Sequence, residues 1–306
     1  MSNETSRPRS IAILSPGDMG HGIGAALGRN GFDVVTCLAG RSPRTAALAE
    51  QGGFRIVPTL SELVNEVDAV LSILVPAQAE ALAADVARAF EQNRITIPFV
   101  DCNAIAPHTT ERIRATIVAA GARFIDGSII GPPPGRGSPP RLYLSGADAK
   151  SLQVLASSEM AVKVISDRVG DASSIKMCYA ALTKGTTTLH VALLAVARAL
   201  GVQAELEAEL AFSQDMTLQQ MRQSIPSLPA NAHRWIGEME EIAATFASVG
   251  APEGFHQGAA AIYRLLDGTA FASESPETID STRTLEETIT ATAGLLSVSY
   301  RDQGNG

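Results

Sequence analysis

The sequence predicts an α/β fold: a doubly wound parallel sheet at the N-terminus, followed by an all-α C-terminal domain. Two patterns carry the prediction. From Ser10 to about Ile130, short apolar, β-branched runs alternate with stretches of helical spacing, as happens where helices cover both faces of a parallel sheet. From Ala172 onward the apolar residues follow helical spacing almost without interruption. A boundary near residue 170 therefore divides residues 1–170 from residues 171–306.

The expected strands are IAILS (11–15), DVVTCL (33–38), AVLSILV (69–75), TIPFVDC (96–102) and RFIDGSII (123–130). Helices are expected over Asp18–Asn30, Pro43–Glu50, Ala77–Phe90 and Pro107–Ala120, several opened by Asp, Ser or Pro, which suit helix N-termini. GPPPGRGSPP (131–140) is a loop, because neither strand nor helix interiors accept its prolines. LYLSG (142–146) and VKVIS (162–166) read as two further strands around a helix from Asp148 to Ser157. A long helix then runs from Ala172 to about Leu200 and stops at Gly201, a good C-terminal cap. The tail RDQGNG is expected to fray.

A chain of 306 residues with 45% hydrophobic content can bury one large core or, the favoured reading, two domains meeting at a cleft, which excludes disorder for most of its length. A formal charge of −8 and a pI near 5.2 argue against nucleic acid or an anionic membrane as partner. A small-molecule ligand is expected instead. MSNETSRPRS resembles neither a signal nor a transit peptide, which makes the cytoplasm the expected compartment. The apolar stretch Thr187–Leu200 is short for a bilayer span and reads as a buried helix. Cys37, Cys102 and Cys178 lie far apart in apolar segments and read as reduced core thiols. His21, His108, His190, His233 and His256 show no zinc-binding spacing, so no metal is expected. His233 and His256 read as packed or surface histidines.

The first strand runs directly into PGDMGHGIG, the context of a Rossmann first turn. Gly17, Gly20 and either Gly22 or Gly24 would let the backbone approach a pyrophosphate. The helix opening at Asp18 and Met19 would aim its amides at that anion. Ser15 stands where the GxGxxG pattern has its first glycine, so Ser-Pro must make the tight turn. At the end of the second strand, CLAGRSPRT offers no carboxylate to a ribose diol. Gly40, Arg41, Ser42 and Arg44 instead suit a ribose 2′-phosphate, which points to NADP (NADPH) rather than NAD. The alternative, less favoured, is that Arg41 and Arg44 are solvated residues at a helix start.

The ordered set SPGDMG, ILVPAQA, VDCNAIAP, FIDGSIIGPPP and SSIKMCYAALTKG resembles the β-hydroxyacid dehydrogenase family. More narrowly, it is similar to a 6-phosphogluconate dehydrogenase-like branch with a divergent C-terminal helical domain. The resemblance implies a cofactor lying over the first turn, Val75-Pro76 and the residues near Asn103, with substrate held between the domains. It also implies that Lys176, at the start of the long helix, is the general acid/base. Oxidising an alcohol releases a proton and reducing a carbonyl requires one, so hydride transfer needs such a group.

Three positions depart from the family pattern. Ile130, followed by Gly131, takes the place of a carboxylate-binding serine, and Ala180 that of an asparagine four residues after the lysine. A later helical lysine has no equivalent around Ile236 and Gly237. The pocket should be more apolar, with Tyr179, Thr183, Lys184 and His190 as candidates to replace some contacts; the first three equally suit helix-surface or core positions. Trp235, Met239, Phe255, Tyr263 and Phe271 read mostly as core, with one or two lining the pocket.

The leading reading is an NADP-dependent oxidoreductase acting on a hydroxy/oxo pair. An imine (C=N) reductase on the same scaffold is the rival enzyme, and a nucleotide-binding sensor without catalysis is the rival from another class. The apolar circumference of the long helix, which the resembling family buries between subunits, predicts a homodimer.

Overall fold

The computed structural model describes residues 8–275 and 277–296. The tail from Arg301 to Gly306 and most of the polar N-terminal lead lie outside these residues. Eight strands form one sheet: β1 (Ser10–Leu14), β2 (Asp33–Cys37), β3 (Arg55–Val57), β4 (Ala69–Ser72), β5 (Pro98–Asp101), β6 (Arg123–Ile130), β7 (Arg141–Ser145) and β8 (Ala161–Ser166). Their order across the sheet is β3-β2-β1-β4-β5-β6-β7-β8, and every neighbouring pair is parallel except β6 with β7. The chain reverses its direction of travel across the sheet between β1 and β4. The carboxyl ends of those strands therefore flank the crevice that this topology offers to a ligand.

The expected alternation holds because the strands are buried on both faces. On β1, Ile11 and Ile13 join one core and Ala12 and Leu14 the other. The connecting helices α1 (Asp18–Arg29), α2 (Pro43–Gln51), α4 (Pro76–Asn93) and α5 (Pro107–Ala119) fall where expected. The sequence reading missed β3 and the helix α3 (Leu60–Glu66). The predicted helix before β8 is a 3-10 helix, Ala149–Leu155. The strand expected over 69–75 ends at Ser72, because Ile73–Val75 turn out of the sheet towards α4.

The chain divides into two compact units between Cys178 and Tyr179, inside the 30-residue helix α6 (Asp171–Leu200). The second unit continues with α7 (Gln203–Ser213), α8 (Asp215–Ser224), α9 (Pro229–Ser248), α10 (Gly254–Asp267) and α11 (Leu285–Ala293). Its core includes Met239 and Tyr263, and Trp235 meets Tyr263 edge-on at 5.4 Å between ring centres. Phe255 does not belong to that core, being 55% exposed. Phe271 stacks under the guanidinium of Arg283 at 4.1 Å. His256 is buried beside Phe246 and Phe255, and His233 is exposed.

Two expectations are corrected along α6. It is not a wholly buried helix, since Tyr179, Leu182, Leu189, Val196 and Leu200 are exposed. Cys178 is exposed as well, whereas Cys37 and Cys102 are buried thiols. Both errors have one cause: apolar residues lie around the helix on several sides, so composition alone does not separate its buried positions from its exposed ones. By length and composition this is also one helix that could cross a membrane, although 44% of its most apolar window is buried.

Candidate dinucleotide and catalytic site

Ser15 adopts φ 59°, the left-handed conformation that glycine enters freely and other residues enter at a cost of about 1–2 kcal/mol. The turn thus requires the backbone shape of the glycine that Ser15 replaces. The Gly17 amide donates to the Ser15 carbonyl at 2.7 Å and the His21 amide to the Gly17 carbonyl at 2.7 Å, so α1 starts at once. No side chain caps α1 at Gly17, which leaves the amides of Met19 and Gly20 pointing out of the helix end.

A Cβ built on Gly17 would enter open space, the room a close-lying anion needs. One on Gly20 would press on Ile13 at 3.3 Å. Gly17 therefore suits ligand approach, and Gly20 lets the helix pack on the strand. Gly22 and Gly24 serve packing instead: an added Cβ would meet Pro134 at 3.0 Å at the first and collide with the Phe54 ring at the second. The turn fits a dinucleotide pyrophosphate.

At the end of β2, Ser42 caps α2 by accepting from the Thr45 amide at 3.2 Å. Arg44 pairs with Asp18 at 2.8 Å, tying the start of α2 to that of α1. The pair is partly exposed, so solvent screens it. Arg41 forms no side-chain ion pair among the described residues. Val75 and Pro76 open α4.

Asn103 is buried, and its carboxamide is committed within the protein. It donates to Ser72 Oγ at 3.0 Å and Asp101 Oδ2 at 3.1 Å, and accepts from the Leu74 amide at 2.7 Å. Its side chain holds the loop before Val75 in place.

Burial pushes the neighbouring Asp101 carboxyl up to about 7; the Asn103 hydrogen bonds oppose the shift and the charge of Asp126 adds to it. The folded pKa lies above the unfolded one, so the native state holds the extra proton between about pH 4 and 7. The stability this contributes is present below that window and lost as pH rises through 7. Urea unfolding should show the wild type losing stability from about pH 5 to pH 8. Asp101→Asn should shrink that loss by something on the order of 3 kcal/mol. Equal losses in both proteins would refute the assignment.

Lys176 sits in the second turn of α6 and its Nζ donates to the Ile129 carbonyl at 2.9 Å. Ile130, next on β6, is buried, and Gly131 follows where a Cβ would lie 3.1 Å from Pro140. The sequence reading missed what holds this helix start. Asp126, fully buried on β6, accepts from Ser145 Oγ at 2.9 Å, the Gly170 amide at 2.9 Å, the Ser173 amide at 3.1 Å and Ser173 Oγ at 2.6 Å. An aspartate inside the apolar run RFIDGSII was the available signal, since a buried carboxylate requires partners.

Tyr179, Ala180 and Thr183 belong to the second unit. Tyr179 is exposed, Ala180 is buried, and Thr183 bonds back to the Tyr179 carbonyl at 3.3 Å. Lys184 pairs with Glu238 at 2.6 Å and lies over the Trp235 ring at 5.8 Å. His190 is buried, which lowers its pKa.

Residues 197–266 match a domain of unknown function, DUF1932. An uncharacterised 28.5 kDa protein of Methanothermus fervidus is 31% identical over 174 residues; the match spans 57% of this chain and 65% of that relative. The solved structure of a conserved protein of unknown function, itself structurally similar to 3-hydroxyacid dehydrogenases, is 26% identical, with a TM-score of 0.62 over 84% of this chain and 96% of its own. The 3-hydroxyisobutyrate dehydrogenase of Mycobacterium tuberculosis shares the fold at 18% identity and a TM-score of 0.64, covering 92% of this chain and 98% of its own. An imine reductase variant from Myxococcus stipitatus shares it at 19% identity and 0.53, covering 92% and 99%. Residues 10–165 match the model of the NAD binding domain of 6-phosphogluconate dehydrogenase, and the glycine turn, the strand order and the resemblance read from the motifs agree with it: this chain belongs to that family.

Proposed function

We propose that this protein is an NADPH-dependent oxidoreductase acting on a small hydroxy/oxo substrate, with Lys176 as general acid/base. The placement of Lys176 carries the reading: a lysine in the early turns of α6, oriented by the Ile129 carbonyl, beside the Ile130-Gly131 segment that the family uses for substrate. The cofactor would supply or accept the hydride. The chain would hold its pyrophosphate at Gly17, Met19 and Gly20 and its ribose 2′-phosphate at Arg41. Lys176 would give a proton to the oxygen of an oxo substrate, or take one from a hydroxyl. Three free thiols agree with a reducing, cytoplasmic setting.

The apolar residues at Ile130 and Ala180 favour a second reading, reduction of an imine, which needs no carboxylate-binding group. NADPH absorbance followed over a panel of 3-oxo acids beside a panel of cyclic imines separates the two. Tight NADPH binding without turnover on either panel would instead indicate a sensor.

A homodimer is part of the same proposal. Tyr179, Leu182, Leu189, Val196 and Leu200, whose spacing is built from three-, four- and seven-residue steps that keep them on one side of the helix, are exposed, with Leu182 at 67%. Light scattering should give about twice the 32.0 kDa chain mass. A monomer at every concentration would contradict it.

A further inference from the structure

We propose that Asp126 is a positioning residue for Lys176; the inference rests on the reading of Lys176 as the acid/base. The carboxylate of Asp126 receives four donors, as many as its lone pairs can serve. Three come from the start of α6: the Gly170 amide, the Ser173 amide and the Ser173 hydroxyl. The fourth, Ser145 Oγ on β7, itself accepts from the Ala172 amide at 3.1 Å. Thr110 Oγ1, on α5, lies 2.8 Å from Ser173 Oγ and closes the network. The orphan amides of the helix start thus end on one buried carboxylate and its serine partner.

The same strand holds the helix a second time, three residues on, where the Ile129 carbonyl takes Lys176 Nζ. One anchor would fix where α6 begins but leave it free to turn about its axis. Two anchors, Asp126 to Ser173 and Ile129 to Lys176, also fix its rotation, and with it the direction of the lysine. Burial raises the Asp126 carboxyl against the pull of its hydrogen bonds, so this cap carries a desolvation cost that an exposed serine or asparagine cap avoids.

The chain has four lysines, Lys150, Lys163, Lys176 and Lys184, so acylation of each by acetic anhydride can be followed by mass spectrometry without knowing the substrate. Asp126→Asn keeps the shape but turns an amide donor towards backbone donors. Lys176, released from Ile129, should then acylate about tenfold faster while Lys150 and Lys163 keep their rates. On the best substrate kcat should fall about 10–100-fold with KM and NADPH affinity within about twofold, and the mutation should cost nothing further in a Lys176→Met background.

Ser173→Ala removes a single donor and should move the same readings less, which keeps the test open if Asp126→Asn fails to fold. Unchanged Lys176 acylation in Asp126→Asn, or in Ser173→Ala where the first variant is unfolded, overturns the proposal. A further fall in kcat in the Lys176→Met background overturns it too. Failure of the catalytic reading is separately visible as full turnover in Lys176→Met alone.

Discussion

Lys176→Met should leave folding and NADPH affinity intact while turnover falls by about 10²–10⁴-fold, the range for a lost general acid/base. Methionine keeps the bulk of the stem and deletes the ammonium, which removes the hydrogen bond to the Ile129 carbonyl together with the proton function. The two alternative proton carriers have different surroundings. Lys184 is held in an ion pair with Glu238, and Tyr179 is exposed. Lys184→Met and Tyr179→Phe should therefore retain most turnover in the same assay. Near-normal rates in Lys176→Met beside a collapsed rate in either of the others would move the proton step away from Lys176.

Arg41→Ala should weaken NADPH binding by about 1.5–3 kcal/mol and leave NADH nearly untouched, because the guanidinium would contact only the 2′-phosphate. Arg44 is the contrasting case. Its bond to Asp18 means that Arg44→Ala leaves a carboxylate without that counter-charge at the start of α1. That change should weaken both cofactors through repulsion of the shared pyrophosphate. Titration of both cofactors against the three proteins reads the difference. Equal losses for NADPH and NADH in Arg41→Ala, or a wild type that prefers NADH, would reject the 2′-phosphate assignment.

The alternating half of the fold was legible because its strands, apart from the edge, are buried on both faces, which writes continuous apolar runs such as IAIL and AVLS into the chain. β3 and α3 escaped notice for the complementary reason. RIV has two exposed positions and α3 is seven residues long, too little for either period to emerge. The glycine turn could be read locally, including that Ser15-Pro16 must make its tight turn, whereas the glycine-like conformation of Ser15 emerged from the structure. Lys176 was singled out as a candidate by its motif, but what holds it in place was not visible there. Asp126 reaches partners 19, 44 and 47 residues away, and such contacts leave no local pattern. The Asp18–Arg44 pair, across two turns, is hidden in the same way. Asn103 was expected beside the cofactor, and what its motif did not reveal is that its carboxamide is engaged in holding the loop before α4.

Hydride transfer from NADPH, with the proton handled by Lys176, should leave an isotopic mark on the product. The full chain would be given NADPH deuterated at the reactive C4 position together with the oxo-acid and imine panels, and the products examined by mass spectrometry. Deuterium is expected on the carbinol carbon of a hydroxy-acid product, formed far more slowly by Lys176→Met. Deuterium found only in amine products, or in no product of a protein that binds NADPH tightly, would contradict it.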